Sequence, residues 1–363
     1  MSDPKVDAAI QDGRMPDGVT AEYLNESRDQ PALTGIIFVT ALTSIMLIAR
    51  CLSRIFLLRR FGWDDGLAFL SWLLFIPFVV LCIILIRLGS GRHYEYIQYV
   101  LNLDTVNETE ALDFGAHLLY TISLVICRVS GLALYAAICK QHHTYVWAIR
   151  GVAGVIILAY LPQIFLLVFH CVPVTALWPY DWQPESNNHT CLTWGLVYSV
   201  NSAVSLFSDL LLYGIPVVMI WNLTLSRKRK VQLACILLPG ILVIAISIAR
   251  LVLVIRGQWL ADMSWSYNPM LAVEVSEIGA TLISLSIPGV KPLIDNYIRR
   301  KDKSTTRGGN TYFSGRGPRG TPLRQLRSTH TQIDDGESHE RTNAPSNDSK
   351  EGILVKMKYR VEA

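Results

Sequence analysis

Charged residues are scarce in this chain of 363 residues, and their scarcity argues against an ordinary soluble domain. Asp, Glu, Lys and Arg make up 17% of the residues, whereas a soluble domain usually has about 25%. Hydrophobic residues reach 51%, and the mean hydropathy is +0.33. A chain with so little polar surface cannot cover a fully hydrated exterior, so a large part of it must lie in a non-aqueous environment.

Motifs for most kinds of soluble chemistry are also missing. No His and Cys residues have the spacing of a metal site, because the adjacent His142 and His143 lie in a loop. The glycine signature of a phosphate-binding loop is absent, and no nucleophile–base arrangement can be recognised. We therefore expect no metal, no cofactor and no nucleic-acid partner, while the sequence leaves open whether the protein is an enzyme.

We expect no cleavable signal peptide at the start of the chain. Residues 1–31 are polar, whereas a secretory signal has a basic stretch followed by a short apolar core. The first apolar helix is therefore expected to act as its own membrane signal.

Long apolar runs account for the shortage of charge. A helix needs roughly 20 apolar residues to cross about 30 Å of hydrocarbon, and lipid offers the backbone no hydrogen-bond partners, so such runs must be helical. Seven runs qualify, at 32–55, 65–87, 112–138, 146–171, 195–221, 232–255 and 268–293. They predict an all-α membrane protein with a seven-helix domain over 32–298, an N-terminal tail over 1–31 and a disordered tail over 299–363 that is rich in Arg, Ser, Thr, Gly and Pro.

The distribution of basic residues predicts the orientation. Fourteen Lys and Arg residues follow spans 1, 3, 5 and 7, against four near the membrane on the other side. Since basic loops stay in the cytosol, we expect the N-terminus outside and the C-terminus inside. Three glycosylation sequons then fall outside, at Asn25, Asn107 and Asn188. The sequence does not distinguish the plasma membrane from an endomembrane.

Five ionisable residues stand out inside the predicted spans, where a charge must face the bundle interior and usually pairs. A rise of 1.5 Å per residue places Arg128 about 15 Å and Asp209 about 18 Å above the inner face, and Arg250 and Glu274 about 28 and 26 Å above it. Glu277 lies slightly lower than Glu274. These depths predict two ion pairs, Arg128 with Asp209, and Arg250 with Glu274 or Glu277. The pairs either fix helix packing or line a polar pocket for a ligand or a proton.

Other residues have local structural interpretations. Asp64 and Asp65 are expected to interact with the N-terminal amides of helix 2. Pro216 and Pro288 each remove a backbone hydrogen bond from helices 5 and 7, and Gly240 allows close helix approach. Cys171 and Cys191 bracket a polar segment on the outer side and either form a disulfide or remain free thiols.

Several short motifs occur together in a fixed order. The order begins with Gly62-Trp63-Asp64-Asp65, continues through Arg128-Val129-Ser130, Cys171-Val172-Pro173 and Cys191, and ends with Asp209, Pro216, Gly240, Arg250, Glu277, Pro288 and Lys291-Pro292-Leu293. In this order the chain resembles the fungal rhodopsin-domain family over about 35–293. The resemblance implies a seven-helix membrane protein, either receptor-like or encoded with a secondary-metabolite pathway.

The chain also departs from that family and from other seven-helix proteins. Arg128 stands where the family usually has Lys. Residues 1–31 contain no Cys, so we do not expect them to form the cysteine-rich outer domain of some receptor-like members. The middle of helix 7, from Glu277 to Ser284, has no Lys that could hold retinal. The Asp-Arg-Tyr and Asn-Pro-x-x-Tyr switches of animal G-protein-coupled receptors are missing too.

Two functional hypotheses follow. The first is a receptor-like protein in the lipid bilayer that binds an apolar small molecule and reports to a cytosolic signalling partner. The second is a membrane component of a secondary-metabolite pathway, such as a cyclase that protonates its substrate with Asp209, Glu274 or Glu277. An Arg partner opposes that acid role, because it favours the carboxylate form.

Overall fold

Seven long apolar helices form the molecule, as the sequence predicts. The computed structural model describes residues 3–16, 18–59, 61–174, 177–184, 190–222, 227–259 and 262–306. Within these ranges, seven helices are long and apolar enough to cross a membrane. The all-α, multi-pass membrane architecture is thus confirmed.

The helices and strands have the following bounds. They are α1 (Pro4–Gln11), α2 (Ala21–Asn25), α3 (Asp29–Leu52) with a π-helical end (Ser53–Leu58), α4 (Trp63–Leu88), α5 (Tyr94–Tyr99), α6 (Leu103–Ile138), α7 (His143–Val168), β1 (Cys171–Val172), β2 (Thr190–Cys191), α8 (Trp194–Asn222), α9 (Arg227–Gly257), a 3₁₀ turn (Ser264–Ser266) and α10 (Tyr267–Thr306). The seven spanning helices are α3, α4, α6, α7, α8, α9 and α10.

Local sequence signals set the ends of α4. Its first turn contains Asp64 and Asp65, and a carboxylate oxygen of Asp65 accepts a hydrogen bond from the Gly62 amide at 3.1 Å. Its last turn ends at Gly89, whose φ of +107° is a left-handed conformation that glycine adopts without a Cβ clash. The chain then turns back through the Gly89 and Ser90 amides, which bond to carbonyls of the last turn.

The polarity of the bundle is reversed relative to a soluble protein. Large apolar side chains point outward, including Phe38, Leu158 and Leu238, whereas Arg128 and Glu277 are fully buried. Lipid solvates apolar side chains and cannot solvate charges, so this arrangement is the stable one in a bilayer. The helices therefore meet around a polar centre.

The chain before the first span is folded against the bundle. Asp3 caps α1 and Thr20 caps α2. Both helices pack on α5 through an apolar cluster that contains Val6, Leu24 and Tyr96. We call this end of the bundle, with α1, α2, α5 and the β1–β2 hairpin, the N-terminal face. The other end is the opposite face.

Several helix ends differ from the apolar runs in the sequence. The third span, α6, begins at Leu103 rather than 112 and has 36 residues, or about 54 Å of helix, so it extends beyond the hydrocarbon. The fourth span, α7, ends at Val168 because Cys171 enters the hairpin. Helix α10 continues to Thr306, inside the expected tail over 299–363, and residues 307–363 lie outside the described part of the chain.

Candidate functional site

A buried ion network occupies the centre of the bundle, and Arg128 of α6 is its first member. The Arg128 Nε donates to an oxygen of Asp209 on α8 at 2.9 Å. Its Nη2 donates to the Ser205 hydroxyl at 2.7 Å and to Glu277 of α10 at 3.1 Å. The structure therefore brings Arg128 and Asp209 together and adds Glu277 as a shared partner.

Arg250 of α9 is the second cation of the network. Its Nη1 donates to the other carboxylate oxygen of Glu277 at 3.0 Å and to the Tyr120 hydroxyl. The guanidinium lies over the Tyr120 ring, 4.7 Å from the centroid. The depths in the membrane predict two separate ion pairs, whereas Glu277 joins the two Arg residues into one network.

Hydroxyl groups complete the coordination of the two central carboxylates. Ser247 donates to Asp209 at 2.5 Å, Ser205 donates to Glu277 at 2.5 Å, and Tyr120 donates to Glu277 at 2.7 Å. Burying two ion pairs costs several kcal/mol per charge unless the remaining hydrogen-bonding capacity is also used. These hydroxyls reduce that cost, and they connect four helices through one set of charges.

A chain of polar groups runs from this network toward the N-terminal face. Glu274 lies 3.6 Å from the Arg250 Nε and 3.6 Å from the His117 Nε2. The other ring nitrogen of His117 is 3.0 Å from Asp113, one helical turn earlier on α6. Tyr267 donates its hydroxyl hydrogen to Asp113. Each member is thus in contact with the next, from Arg250 to Tyr267.

A cavity of about 580 Å³ lies at the end of that chain, on the N-terminal face. Its wall contains Asp113 and Tyr267, so the cavity shares two residues with the polar chain. It is also lined by a loop, residues 177–184, between the two hairpin strands. A pocket of this size suits a small organic ligand.

The loop is held in place by covalent and polar contacts. Cys171 and Cys191 form a disulfide at the base of the hairpin. The Trp178 indole donates to the Leu192 carbonyl at 2.8 Å, and Leu177 and Trp178 both have positive φ, at +48° and +56°. Non-glycine residues adopt this conformation at an energetic cost and are enriched at ligand sites.

His170 forms one wall of the cavity. Its ring stacks on Trp178 with a centroid distance of 3.6 Å, and its Nδ1 lies 2.7 Å from the Leu167 carbonyl, to which it donates. Burial lowers the pKa of His170, so the ring is neutral near pH 7. The Nε2 lone pair then has no hydrogen-bond partner among the described residues.

A second buried ion cluster lies toward the opposite face. Arg50 of α3 donates to Asp64 at 2.9 Å, to Asp65 at 2.8 Å and to the Leu285 carbonyl at 2.8 Å. The Ser130 hydroxyl donates to the Asp64 carbonyl at 2.7 Å. The helix-terminus interpretation of the two aspartates is therefore incomplete: Asp65 does bond to the Gly62 amide, but both carboxylates bind Arg50.

The remaining predicted residues are placed as follows. Gly240 faces Tyr213 across the α8–α9 contact. Pro216 and Pro288 lie inside α8 and α10. Asn25 uses its side-chain oxygen to accept from the Asp3 amide at 2.7 Å, Asn107 is exposed on α6, and Asn188 lies outside the described residues.

Sequence reasoning missed several members of the site. Tyr120, Ser205 and Ser247 are uncharged, and hydroxyl-bearing residues are too common in apolar helices to be recognised without their partners. The contact between Asp113 and His117 could have been predicted from the sequence, because the two residues lie four positions apart and therefore on one face of α6. No group of three or more metal-ligating side chains is clustered within the described ranges.

Comparisons with known proteins agree with this architecture. The model of the fungal rhodopsin domain matches residues 49–296, which is more than half of the chain. A curated relative from Emericella nidulans, described as a SAT4 family membrane protein, is 22% identical over 260 residues. That alignment covers 70% of this chain and 61% of the relative, so the chain spans less than two thirds of the relative's length. No solved structure matches the chain.

Proposed function

The chain belongs to the fungal rhodopsin domain family, and we propose that it is a receptor-like membrane protein that binds a small organic molecule in the cavity of its N-terminal face. The observation that carries the proposal is the continuity between that cavity and the buried network. Asp113 and Tyr267 line the cavity, and Asp113 contacts His117, which contacts Glu274 beside Arg250.

The buried network is the conformational element in this proposal. Its charges come from α6, α8, α9 and α10, so a shift of one helix changes the distances to the other three. A ligand can shift a conformational equilibrium only by binding one state better than the other. Contact with Asp113 would provide such a difference, since that carboxylate begins the path to Arg250.

The orientation forms part of the same proposal. The N-terminal face is outside, where the Cys171–Cys191 disulfide meets an oxidising environment, and the basic loops with the segment after α10 are cytosolic. Asn107, exposed beside the cavity, is then a glycosylation site. A ligand would enter from outside, and the cytosolic loops would pass the change to a signalling partner.

Co-purification tests whether the cavity binds a molecule. The protein is purified from its native host, and small molecules released on denaturation are identified by mass spectrometry. Ser264 lines the cavity, so Ser264→Trp should fill part of it and remove the bound molecule. Glu108→Trp, on an exposed position of α6 outside the cavity, is the matched control and should retain it. Equal recovery from both variants would contradict binding in this cavity.

Signalling requires a change at the opposite face. An environment-sensitive fluorophore on Lys140→Cys, exposed in the turn after α6, should respond to the identified molecule. The response should be lost in Ser264→Trp. Binding without any change in fluorescence would argue against the receptor-like function.

A second candidate function, an acid-catalysed step in a biosynthetic pathway, is favoured by Glu274. Neither carboxylate oxygen of this fully buried residue has a hydrogen-bond partner within the described part of the chain, and the Arg250 Nε lies 3.6 Å from its Oε1. Asp209 and Glu277, by contrast, both accept hydrogen bonds from Arg. Glu274 is therefore the best placed of the three carboxyl groups to donate a proton. Loss of a metabolite on gene deletion, restored by wild type and by Glu108→Gln on the exposed surface of α6 but not by Glu274→Gln, would support catalysis over reception.

A further inference from the structure

We infer that the cavity on the N-terminal face selects an amphipathic organic ammonium ion, which deepens the proposed small-molecule binding and rests on it. The inference comes from the charge of the wall, its aromatic surface and an unused hydrogen-bond acceptor.

Every charged residue of the described cavity wall is acidic. These residues are Glu110, Asp113 and Asp181, and no described Lys or Arg lines the cavity. The neighbouring sequence stretches outside the described residues, 175–176, 185–189 and 260–261, also contain no Lys or Arg. A concave site with one sign of charge concentrates ligands of the opposite sign.

Two basic residues of this face, Arg92 and Arg28, have partners outside the cavity. Arg92 contacts Asp3 at 3.4 Å and Asp29 at 3.1 Å, and the Arg28 guanidinium lies 4.5 Å from the centre of the Trp265 ring. They hold the N-terminal segment on the bundle instead of neutralising the cavity.

Glu110 is the carboxylate with the least compensation. It accepts a hydrogen bond from the neutral Gln183 amide at 2.9 Å, and no described cation forms an ion pair with it. The Gln183 side chain also accepts from the Tyr180 amide at 2.8 Å, which fixes the loop relative to α6. The position of Glu110 is thus set by the protein, while no described cation is paired with its carboxyl group.

Aromatic rings form much of the remaining wall. They include Phe114, Trp178, Tyr180, Trp194, Trp259 and Tyr267. The negative ring faces attract a cation placed over them, and the same rings bury the apolar part of an amphipathic molecule. The combination favours an ammonium group attached to an apolar body over a small inorganic cation.

His170 distinguishes an ammonium with N–H groups from a fully substituted one. The residue is 1% exposed and lines the cavity, and its Nδ1 hydrogen is committed to the Leu167 carbonyl. The buried Nε2 therefore offers a lone pair that has no partner among the described residues. An N–H of the ligand would satisfy it, whereas a carboxylate ligand would face a second acceptor.

The test uses three probes of similar size and shape that differ in charge. These are 2-(2-naphthyl)ethylamine, 2-(2-naphthyl)ethanol and 2-naphthylacetate, titrated at pH 7.5 against the full chain in phosphatidylcholine nanodiscs, with empty nanodiscs to subtract partitioning. We expect the amine to bind at least about 10-fold more tightly than the alcohol, equivalent to about 1.4 kcal/mol, and the acid to bind most weakly. Ser264→Trp should abolish the protein-dependent signal.

Matched charge variants assign the selectivity to Glu110. Glu110→Gln keeps the size of the side chain and its contact with Gln183. The variant should bind the amine about 10-fold more weakly and the alcohol with unchanged affinity. Glu108→Gln, two residues away and exposed, should change neither affinity. Thermal unfolding of both variants checks that the fold is retained.

Two results would overturn the inference. One is an alcohol or acid that binds as tightly as the amine, and the other is a Glu110→Gln variant that affects all three probes equally. A different result is that the three probes show no binding while a neutral or anionic molecule co-purifies with wild type and not with Ser264→Trp. That result would contradict the charge selectivity and still support the proposed small-molecule binding. If no probe binds and no molecule co-purifies, both the charge selectivity and the proposed small-molecule binding are contradicted.

Discussion

At the scale of single residues, the molecule depends on charges that are fully removed from water. Arg128, Asp209 and Glu277 are each 0% exposed. Such a network contributes little net stability compared with a well-packed apolar core, but removing one member leaves its partner buried and uncompensated. The contribution of each residue is therefore best measured as the loss in the free energy of unfolding when its partner is left without a counter-charge.

Replacing Arg128 with Met tests this directly. The substitution keeps an unbranched side chain and removes the cation shared by Asp209 and Glu277. We expect a loss of about 3–5 kcal/mol in the free energy of unfolding, because Asp209 then has no described cationic partner. Unfolding equilibria in mild detergent or bicelles provide the measurement.

The double variant Arg128→Met, Asp209→Leu provides the control. Glu277 keeps Arg250 at 3.0 Å, so removing both other charges should recover a large part of the stability. Two contacting residues should show a coupling of about 0.5–3 kcal/mol. Additive costs for the two substitutions would show that the pair is not energetically linked.

His170 gives a pH-dependent prediction. Burial lowers its pKa in the folded protein below the usual value of 6.5, so below that pH the unfolded chain binds a proton that the folded chain excludes. Stability should therefore fall as the pH decreases from 7.5 through 6.5 to 5.5. The change should be smaller in His170→Phe, which cannot titrate, and equal slopes of unfolding free energy against pH for both proteins would contradict the assignment.

The sequence predicted some of these residues and could not predict others, for physical reasons. A charge in an apolar run is rare, so Arg128, Asp209, Arg250, Glu274 and Glu277 were identifiable, and helical rise brought Arg128 and Asp209 to one depth. Depth carries no information about rotation around the helix axis. The sharing of Glu277 between two Arg residues therefore required the structure.

At the scale of elements, the apolar runs predicted which helices exist but not where they end. Hydropathy reports the part of a helix that touches lipid, so the polar first turns of α6 from Leu103 were invisible to it. The same limit applies to α1 and α2, whose packing on α5 depends on few apolar residues separated in sequence. A close contact between two helices is easier to predict from the sequence where that contact requires a glycine.

Gly240 is such a position, and it provides the third prediction. A Cβ at this position would lie 2.3 Å from the Tyr213 ring, which is itself 1% exposed. Gly240→Ala should therefore force α8 and α9 apart or displace the ring, at a cost of about 1–3 kcal/mol. Gly214→Ala on α8, where nothing lies within 4 Å of the new methyl group, is the matched control and should be neutral or slightly stabilising. Similar unfolding free energies for the two variants would rule out a close contact at Gly240.

At the scale of the whole molecule, the two ends of the bundle differ in kind. The N-terminal face has a disulfide, a folded N-terminal segment and an acidic aromatic cavity. The opposite face has the Arg50–Asp64–Asp65 cluster and the turn at Lys140. The basic residues of the sequence predict which end faces the cytosol, but contacts between helices do not give a direction across a membrane. Orientation must therefore be measured on the protein in its bilayer.

Labelling with a membrane-impermeant maleimide measures that orientation. Glu108→Cys lies on the N-terminal face and Lys140→Cys on the opposite face, and both positions are exposed. If the N-terminal face is outside, intact protoplasts should label Glu108→Cys, whereas Lys140→Cys should react only after permeabilisation. Cys82, Cys127 and Cys139 are buried and Cys171 and Cys191 are bonded to each other, whereas Cys51 and Cys235 are only partly buried. Both are therefore replaced by Ser in the parent chain, which then should give low background. Labelling of Lys140→Cys alone in intact cells would reverse the topology, placing the cavity in the cytosol and its ligand among intracellular molecules.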